Sequence, residues 1–350
     1  MNETSAATAT DIKVTVVIIG RNEEQFIGRS IESSLAAADG LTGAAERAAA
    51  GLEVIFVDSA STDRSVEIAT GYPIRVLQLR PEWPLCVAAG RYTGLRHSRG
   101  QYVLFLDGDA EIEADWLHRA VAFMDAHPHY GAIAGVLDEH YVDARGHRHG
   151  GQKNVFGQDT SREQVDCKSL GGIAMYRRRA LEQAGPVNPH LPTGEDDELC
   201  LRLRNAGFQL ARIRGRMAIK YTERRDTLHE VLRRSRTRMY DYGAVIRYSS
   251  LYGGGIQYCR DAIPYVVSFA VTALLLMLAL PVAIYTQTVL WWIAALVLLA
   301  AAVVVKKRSV HRALLSVLVR AVSTLRTIIS FVRTKPQPVE AYPTDVIHVR

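Results

Sequence analysis

Residues 103–109 read Val-Leu-Phe-Leu-Asp-Gly-Asp (VLFLDGD). Four apolar residues in a row, without alternation, are the pattern of a strand covered on both faces. Two carboxylates around one glycine then stand where that strand ends. The same pattern recurs upstream. Val14–Ile19 (VTVVII) is followed by Arg21-Asn22-Glu23, and Val54–Val57 (VIFV) is followed by Asp58. Arg75–Leu79 predicts a further strand. Helices are predicted from about Glu23 to Ala37, from a Ser61-Thr62-Asp63 cap to about Thr70, and over Val87–Ser98. The stretch AADGLTGAAERAAAG (37–51) reads as a loop or short helical insertion. Strand–helix alternation with short links gives an α/β fold with a mostly parallel, helix-covered sheet. Ligands of such sheets bind beyond the C-terminal strand ends, where these polar residues fall.

Further along, GHRHGGQKNVFGQD (146–159) reads as a mobile loop, and its histidines together with His140 lack the spacing of a zinc site. Lys168–Tyr176, containing Gly171-Gly172, reads as a strand edge where backbone approaches a ligand. Glu195–Ala206 is a predicted helix, with Leu199, Leu203 and Ala206 on one face and Gly207 ending it. Cys86, Cys167, Cys200 and Cys259 show no CxxC spacing and read as small buried hydrophobes in a reducing compartment.

Asp107-Gly108-Asp109 forms a hard oxygen site suited to Mg²⁺ or Mn²⁺, which could bridge a nucleotide diphosphate. A lone D-x-D is a weak signal. Gly194-Glu195-Asp196-Asp197-Glu198 says more. Four adjacent carboxylates repel one another and raise at least one pKa, while the helix N-terminus relieves part of the repulsion. An ionised yet basic carboxylate at that position suits a general base.

Five segments in this order resemble the large inverting glycosyltransferase family 2, with its GT-A nucleotide-sugar-binding fold: VVIIGRNEEQFIGRSIESSL, EVIFVDSASTDRSVEIA, AAGRYTGLRHSRGQYVLFLDGDAEIEADWL, GGIAMYRRRALEQAG and GEDDELCLRLRNAGFQL. They span roughly residues 12–212. The resemblance implies that Glu23 and Asp58 contact the nucleoside base, with Asp63 in the same pocket and Arg91 near the nucleotide or donor sugar. It implies Asp107 at the ribose or sugar, Asp109 on the metal, Gly171, Gly172 and Glu195 beside the acceptor, and Asp196 as general base. Gly20-Arg21 stands where the family usually has proline or tyrosine before Asn-Glu-Glu. The family's Arg-Asn pair is Arg91-Tyr92 here. A histidine often found beyond the base helix has no clear counterpart, leaving His229, Lys220 or Arg224 to serve. The Gln-x-x-Arg-Trp signature of processive synthases is absent from RRSRTRMYDYG (233–243), which favours transfer of one sugar. The six basic residues of 224–238 suit either lipid-carrier phosphates or a solvated face.

Ala262–Ile284 and Thr288–Val305 carry no charged residue over 23 and 18 positions, each long enough to cross a bilayer. Arg260 before the first span and Lys306-Lys307-Arg308 after the second place both outer ends in the cytoplasm. Residues 310–332 are amphipathic, with Arg312 and Arg320 opposite an apolar stripe, and are expected to lie in the interface. Residues 306–350 hold nine basic against two acidic residues, so the net charge of +6 sits beside the membrane. That pattern favours anionic lipid over nucleic acid as partner. No apolar leader precedes the first strand. The expected organisation is a disordered start (1–10), a catalytic domain (11–240), a linker (241–261), a transmembrane pair (262–305) and a basic amphipathic helix and tail (306–350). The expected activity is inverting, metal-dependent transfer of one sugar from a nucleotide sugar (UDP-linked) to a polyprenyl-linked acceptor at the plasma membrane, for envelope glycan synthesis. A processive polysaccharide synthase and a non-catalytic nucleotide-sugar-binding scaffold are the alternatives.

Overall fold

The computed structural model describes residues 12–39, 51–143, 145–223 and 227–350. The expected disordered start, most of the 37–51 insertion and Arg224 lie outside the described residues. The chain forms two compact units. One holds the chain up to Leu191, Glu195–Glu223 and Gln337–Arg350; the other holds Pro192–Gly194 and Arg224–Pro336.

The first unit is built on one sheet. Its strands are β1 (Val14–Gly20), β2 (Leu52–Asp58), β3 (Arg75–Gln78), β4 (Tyr102–Asp107), β5 (Ala110–Ile112), β6 (Tyr130–Val142), β7 (Arg148–Gln152), β8 (Gln164–Asp166), β9 (Ala174–Arg177), β10 (Gln209–Thr222) and β11 (Ile347–His348). The order across the sheet is β11-β3-β2-β1-β4-β9-β6-β10-β5, with β7 on β6 and β8 on β10. The four strands β3-β2-β1-β4 are parallel, as their continuous apolar runs require, and Val16, Val17, Ile18, Phe56, Val57, Val103 and Leu104 are fully buried. Beyond β4 the sheet is mixed, because β9 enters antiparallel between β4 and β6.

Register brings the polar ends together. Gly20 lies opposite Asp58 and Ile19 opposite Asp107, so β1, β2 and β4 end at one level. The helix Glu195–Asn205 begins with the acidic cluster as its first turn, as expected, and Gly207 adopts φ +90° just past its end.

Two segments differ from their sequence reading. Arg148–Gln152 is not an irregular loop but strand β7, paired with the end of β6. Glycine permits this: a Cβ on Gly151 would lie 2.5 Å from the carbonyl of Glu139. The last residues are not a free tail. β11 pairs antiparallel with β3, and Tyr342, 1% exposed, packs edge-on against Trp83 and Tyr92 while its hydroxyl donates to the carbonyl of Pro84 (3.0 Å).

The second unit is helical. The stretch expected as a linker contains helices Tyr242–Ser250 and Gly255–Asp261. Three helices then follow that are long and apolar enough to cross a membrane: Pro264–Tyr285, Val289–Lys307 and Val310–Arg333. The first two expose apolar side chains on nearly every face. The third is two-sided. Ala313, Ser323, Thr327 and Ser330 are buried, whereas Leu314, Val317, Leu325, Ile328 and Val332 point outward. Its Arg326 donates to buried Asp241, which also accepts from Arg238.

Candidate active site

The site lies at the common end of β1, β2 and β4. The Gly108 amide donates to the carbonyl of Ile19 (2.7 Å), turning Asp107 and Asp109 out from the strand end. The stem of Glu23 rests against Gly20 and Gly108. The loop bearing Glu23 is clasped to the loop after β2. The Glu23 amide donates to the Ser65 hydroxyl (2.7 Å), the Glu24 amide to Asp63 (3.1 Å), and the Thr62 amide to the side chain of Asn22 (2.8 Å). Burial works to raise the Asp63 carboxyl, but hydrogen bonds from Ser65 and the Glu24 amide overcome it and hold the group low. Asp58 is fully buried and accepts from Ser61 and from Gln78 (2.9 Å). In this structure its carboxylate shapes the loop beneath the pocket.

Arg91 ties the two acidic motifs together. It comes from the helix Val87–His97 and is 4% exposed. One nitrogen donates to Asp107 Oδ1 (3.0 Å), and another pairs with Glu195. Gly172 makes room for it, since a Cβ there would sit 2.5 Å from the guanidinium; Gly171 adopts φ +74° against the ring of Phe156. Glu195, expected beside an acceptor, is thus held by Arg91. Its neighbours are also held. Asp197 pairs with Ser169, and Glu198 makes a two-pronged pair with Arg202 (2.8 Å to each oxygen). Asp196 is half-buried and accepts from the Asp197 amide (2.9 Å). That contact is to backbone, whereas the other three acids are engaged by the side chains of Arg91, Ser169 and Arg202.

Opposite, β10 lies against β5 with Lys220 facing Ala110. The Lys220 ammonium bonds Asp107 and lies 3.4 Å from Asp109. The ring of Tyr221 stacks on Phe26 (centroids 5.1 Å apart), joining β10 to the loop after β1. Charge is unevenly settled here. Burial would raise Asp107, but Lys220 and Arg91 hold it at about 2. Burial pushes Asp109 up to about 6, with Lys220 opposing and Asp107 adding to the rise. Burial and the nearby charge of Asp109 push Glu23 up to about 8. Burial likewise pushes Glu195 to about 7 against the pull of Arg91, and Asp197 to about 7 with the help of Asp196.

These residues fit a hard divalent cation. Asp109 Oδ1 is buried without a hydrogen-bond partner, and Asp107 stands one glycine away. Among the described residues no three His, Cys, Asp or Glu side chains form a closed cage, so the protein would supply only part of such an ion's shell. The sequence reading missed the clasp of Ser61 and Ser65, the Ser169 contact and the tie made by Arg91. Lys220 entered only as one of three substitutes for a histidine. His229 lies in the helix Leu228–Arg236 of the second unit.

Comparison with known proteins agrees with the geometry. The chain matches the model "Glycosyl transferase family 2" over residues 15–185 and "Glycosyl transferase family group 2" over residues 102–305. It is 28% identical over 167 residues to glycosyltransferase AglE of Haloferax volcanii, covering 45% of this chain and 53% of that protein. It is 29% identical over 110 residues to glycosyltransferase GlyA of Streptococcus pneumoniae, covering 31% of this chain and 14% of GlyA. The match thus spans about half, or less, of these relatives' length. Among solved structures, the mannosyltransferase PcManGT from Pyrobaculum calidifontis, in complex with GDP-Man and Mn²⁺, superposes with a TM-score of 0.58 at 19% identity, covering 93% of this chain and 88% of that one. That likeness shows a shared fold. With both family models matching in the order of the strand ends, acidic motifs and apolar helices, the chain belongs to glycosyltransferase family 2.

Proposed function

We propose that the chain is a membrane-attached glycosyltransferase that moves one sugar, with inversion, from a nucleotide-sugar donor (a UDP-sugar) to a lipid-linked acceptor of the polyprenyl class. One observation carries the reading. Arg91 binds Asp107 at the strand end and Glu195 at the head of the acidic helix, which fixes the next residue, Asp196, relative to the Asp107–Asp109 pair. A donor seated on the strand ends and an acceptor facing the acidic helix would then meet in one place.

The residues divide the work. The clasped loops of Glu23 and Asp63 border the nucleotide. A Mg²⁺ or Mn²⁺ on Asp109 and Asp107 would neutralise the charge of the departing diphosphate. Asp196 takes the proton of the acceptor hydroxyl as that oxygen attacks the anomeric carbon opposite the leaving group. For an anionic phosphate acceptor, Asp196 is needed to orient more than to deprotonate. Arg91 keeps the two carboxylate groups at a fixed separation.

Chain topology supports the proposed attachment. The chain leaves the first unit after Glu223 and rejoins it at Gln337, where β11 extends the sheet. A folded unit lies on one side of a bilayer, so the crossings between these points are even in number. Helices Pro264–Tyr285 and Val289–Lys307 make that pair, with their outer ends cytoplasmic by the positive-inside rule. The third helix then lies in the cytoplasmic interface of the plasma membrane, its outward apolar face in lipid. This arrangement suits a membrane-borne acceptor. The test is to incubate membranes containing the chain with a panel of nucleotide sugars and to identify lipid products by mass spectrometry. A donor-specific glycolipid supports the reading; a chain that binds donors but yields no product from any of them is a scaffold.

A further inference from the structure

We propose that Tyr342, on the segment that follows the membrane helices, is a positioning residue for sugar transfer: it braces the two stretches of chain that carry Arg91 and Glu195. The inference rests on the roles proposed above for Arg91, Glu195 and Asp196, and it adds the C-terminal segment to the parts that set them.

The body of the helix Glu195–Asn205 is fixed in the core by Leu199, Cys200 and Leu203. Its first turn is placed differently. The first amides of a helix have no partner within it, and Gly194, just ahead, has no side chain to cap them. The turn relies instead on side-chain ties, Glu195 to Arg91 and Asp197 to Ser169. Those ties are only as well placed as the chain leading into them. Residues 185–191 have no regular structure, so other parts must hold them. Arg202 donates to the carbonyls of Gly185 (2.7 Å) and Pro186 (2.8 Å). Further on, the Cys86 thiol donates to the carbonyl of Pro189 (3.2 Å), and His190 Nε2 donates to the carbonyl of Pro338 (3.0 Å).

Tyr342 stands where these stretches meet. Its ring lies edge-on to Trp83, Tyr92 and His190, with centroids 5.9, 6.0 and 5.9 Å away. Tyr92 follows Arg91 in the helix Val87–His97, Trp83 and Pro84 lead into that helix, and His190 lies five residues before Glu195. One buried ring therefore touches both approaches to the Arg91–Glu195 pair without touching the pair. The ring is itself anchored, because β11 is paired with β3 and Arg80 donates to the carbonyl of Asp345 (3.0 Å). Truncating it leaves room for the approaches to shift. A misplacement of about 1 Å at a reacting group can cost about 10²-fold in rate, so transfer should feel the loss more than donor binding does.

The test compares Tyr342→Ala, Tyr342→Phe and His190→Ala in the full chain. Turnover is read as glycolipid formed in membranes at saturating donor, donor affinity by nucleotide-sugar titration, and local order by amide hydrogen exchange in detergent. Tyr342→Ala should turn over about tenfold more slowly or worse, with donor affinity within about twofold of wild type and faster exchange over residues 187–198. Tyr342→Phe keeps the ring and should turn over within about twofold of wild type. His190 is half-buried, so His190→Ala should keep its Tm within about 2 °C and still lose about threefold or more in turnover, with the same local rise in exchange. Wild-type turnover by Tyr342→Ala overturns the proposal, as does an equal loss of donor affinity and turnover, which would make the ring a support of the whole unit. Should Tyr342→Ala not fold, His190→Ala decides: unchanged turnover or unchanged exchange over 187–198 overturns the proposal and leaves the proposed function standing. A wild type that forms no glycolipid removes both.

Discussion

Replacing Arg91 by methionine removes a guanidinium that is 5% exposed at its side chain and leaves two acids behind. Glu195, 8% exposed, loses its ion partner entirely, and Asp107 keeps only Lys220. Breaking a buried pair from one side costs about 3–5 kcal/mol, because a desolvated charge is left uncompensated. For a unit of this size that corresponds to a fall in Tm of about 6–20 °C. The double variant Arg91→Met/Glu195→Gln leaves no such charge on the helix and should recover most of the loss. The pH dependence has a defined sign. Glu195 already has its carboxyl raised to about 7, and loss of Arg91 raises it further. A raised acid binds a proton more tightly when folded than when unfolded, so stability is lost as pH rises from about 4.5 through the folded value. The deficit of Arg91→Met relative to wild type should therefore be smaller at pH 5 than at pH 8. Thermal unfolding of the detergent-solubilised chain at both pH values reads all three effects. A single variant within about 2 °C of wild type, or a double variant no more stable than the single, would refute the view of Arg91 as the tie between the motifs.

Three other outcomes are expected. Tyr342→Ala removes a ring that is 1% exposed between Trp83 and Tyr92, and should cost about 3 kcal/mol or more in a thermal melt; an unchanged Tm would mean that the C-terminal segment does not belong to the sheet. In right-side-out vesicles from a cysteine-free background, an impermeant maleimide should label Gln287→Cys but neither Ser309→Cys nor Thr334→Cys; labelling of Thr334→Cys from outside would make the third helix a crossing. Asp109→Ala should lower turnover by about 10³-fold, and excess EDTA should do the same to the wild type; full activity of either would remove the metal from the account.

The fold was legible wherever pattern and environment coincide. β1, β2 and β4 are buried on both faces, so their apolar runs carry no alternation, and the polar residues that end them gather at one edge of the sheet. The helix Glu195–Asn205 was legible from leucine spacing and its terminal glycine. β7 and β11 were not, because their pairing is decided elsewhere. Gly151 matters only when Glu139 lies beside it, and two residues near the C-terminus become a strand only where β3 offers an edge. The third apolar helix was read correctly as two-sided, but the identity of its inner packing depends on small residues such as Ser323 and Thr327 that carry no hydropathy signal. At the site, motif residues were recognisable as types, while their partners were not. Nothing in the spacing joins Arg91 to Glu195 across 104 residues, or Lys220 to Asp107 across 113.

The central claim, that Asp196 acts on an acceptor beside a donor held at Asp107–Asp109, is tested most directly by single-turnover kinetics with a hydroxyl acceptor, alongside nucleotide-sugar titration, for Asp196→Asn and Asp197→Asn. Asp196→Asn keeps shape and loses basicity, so the chemical step should slow by about 10²–10⁴-fold with donor affinity nearly unchanged. Asp197, held by Ser169, should tolerate the same change with a mild loss. Near-normal transfer by Asp196→Asn, or a greater loss in Asp197→Asn, would contradict the account.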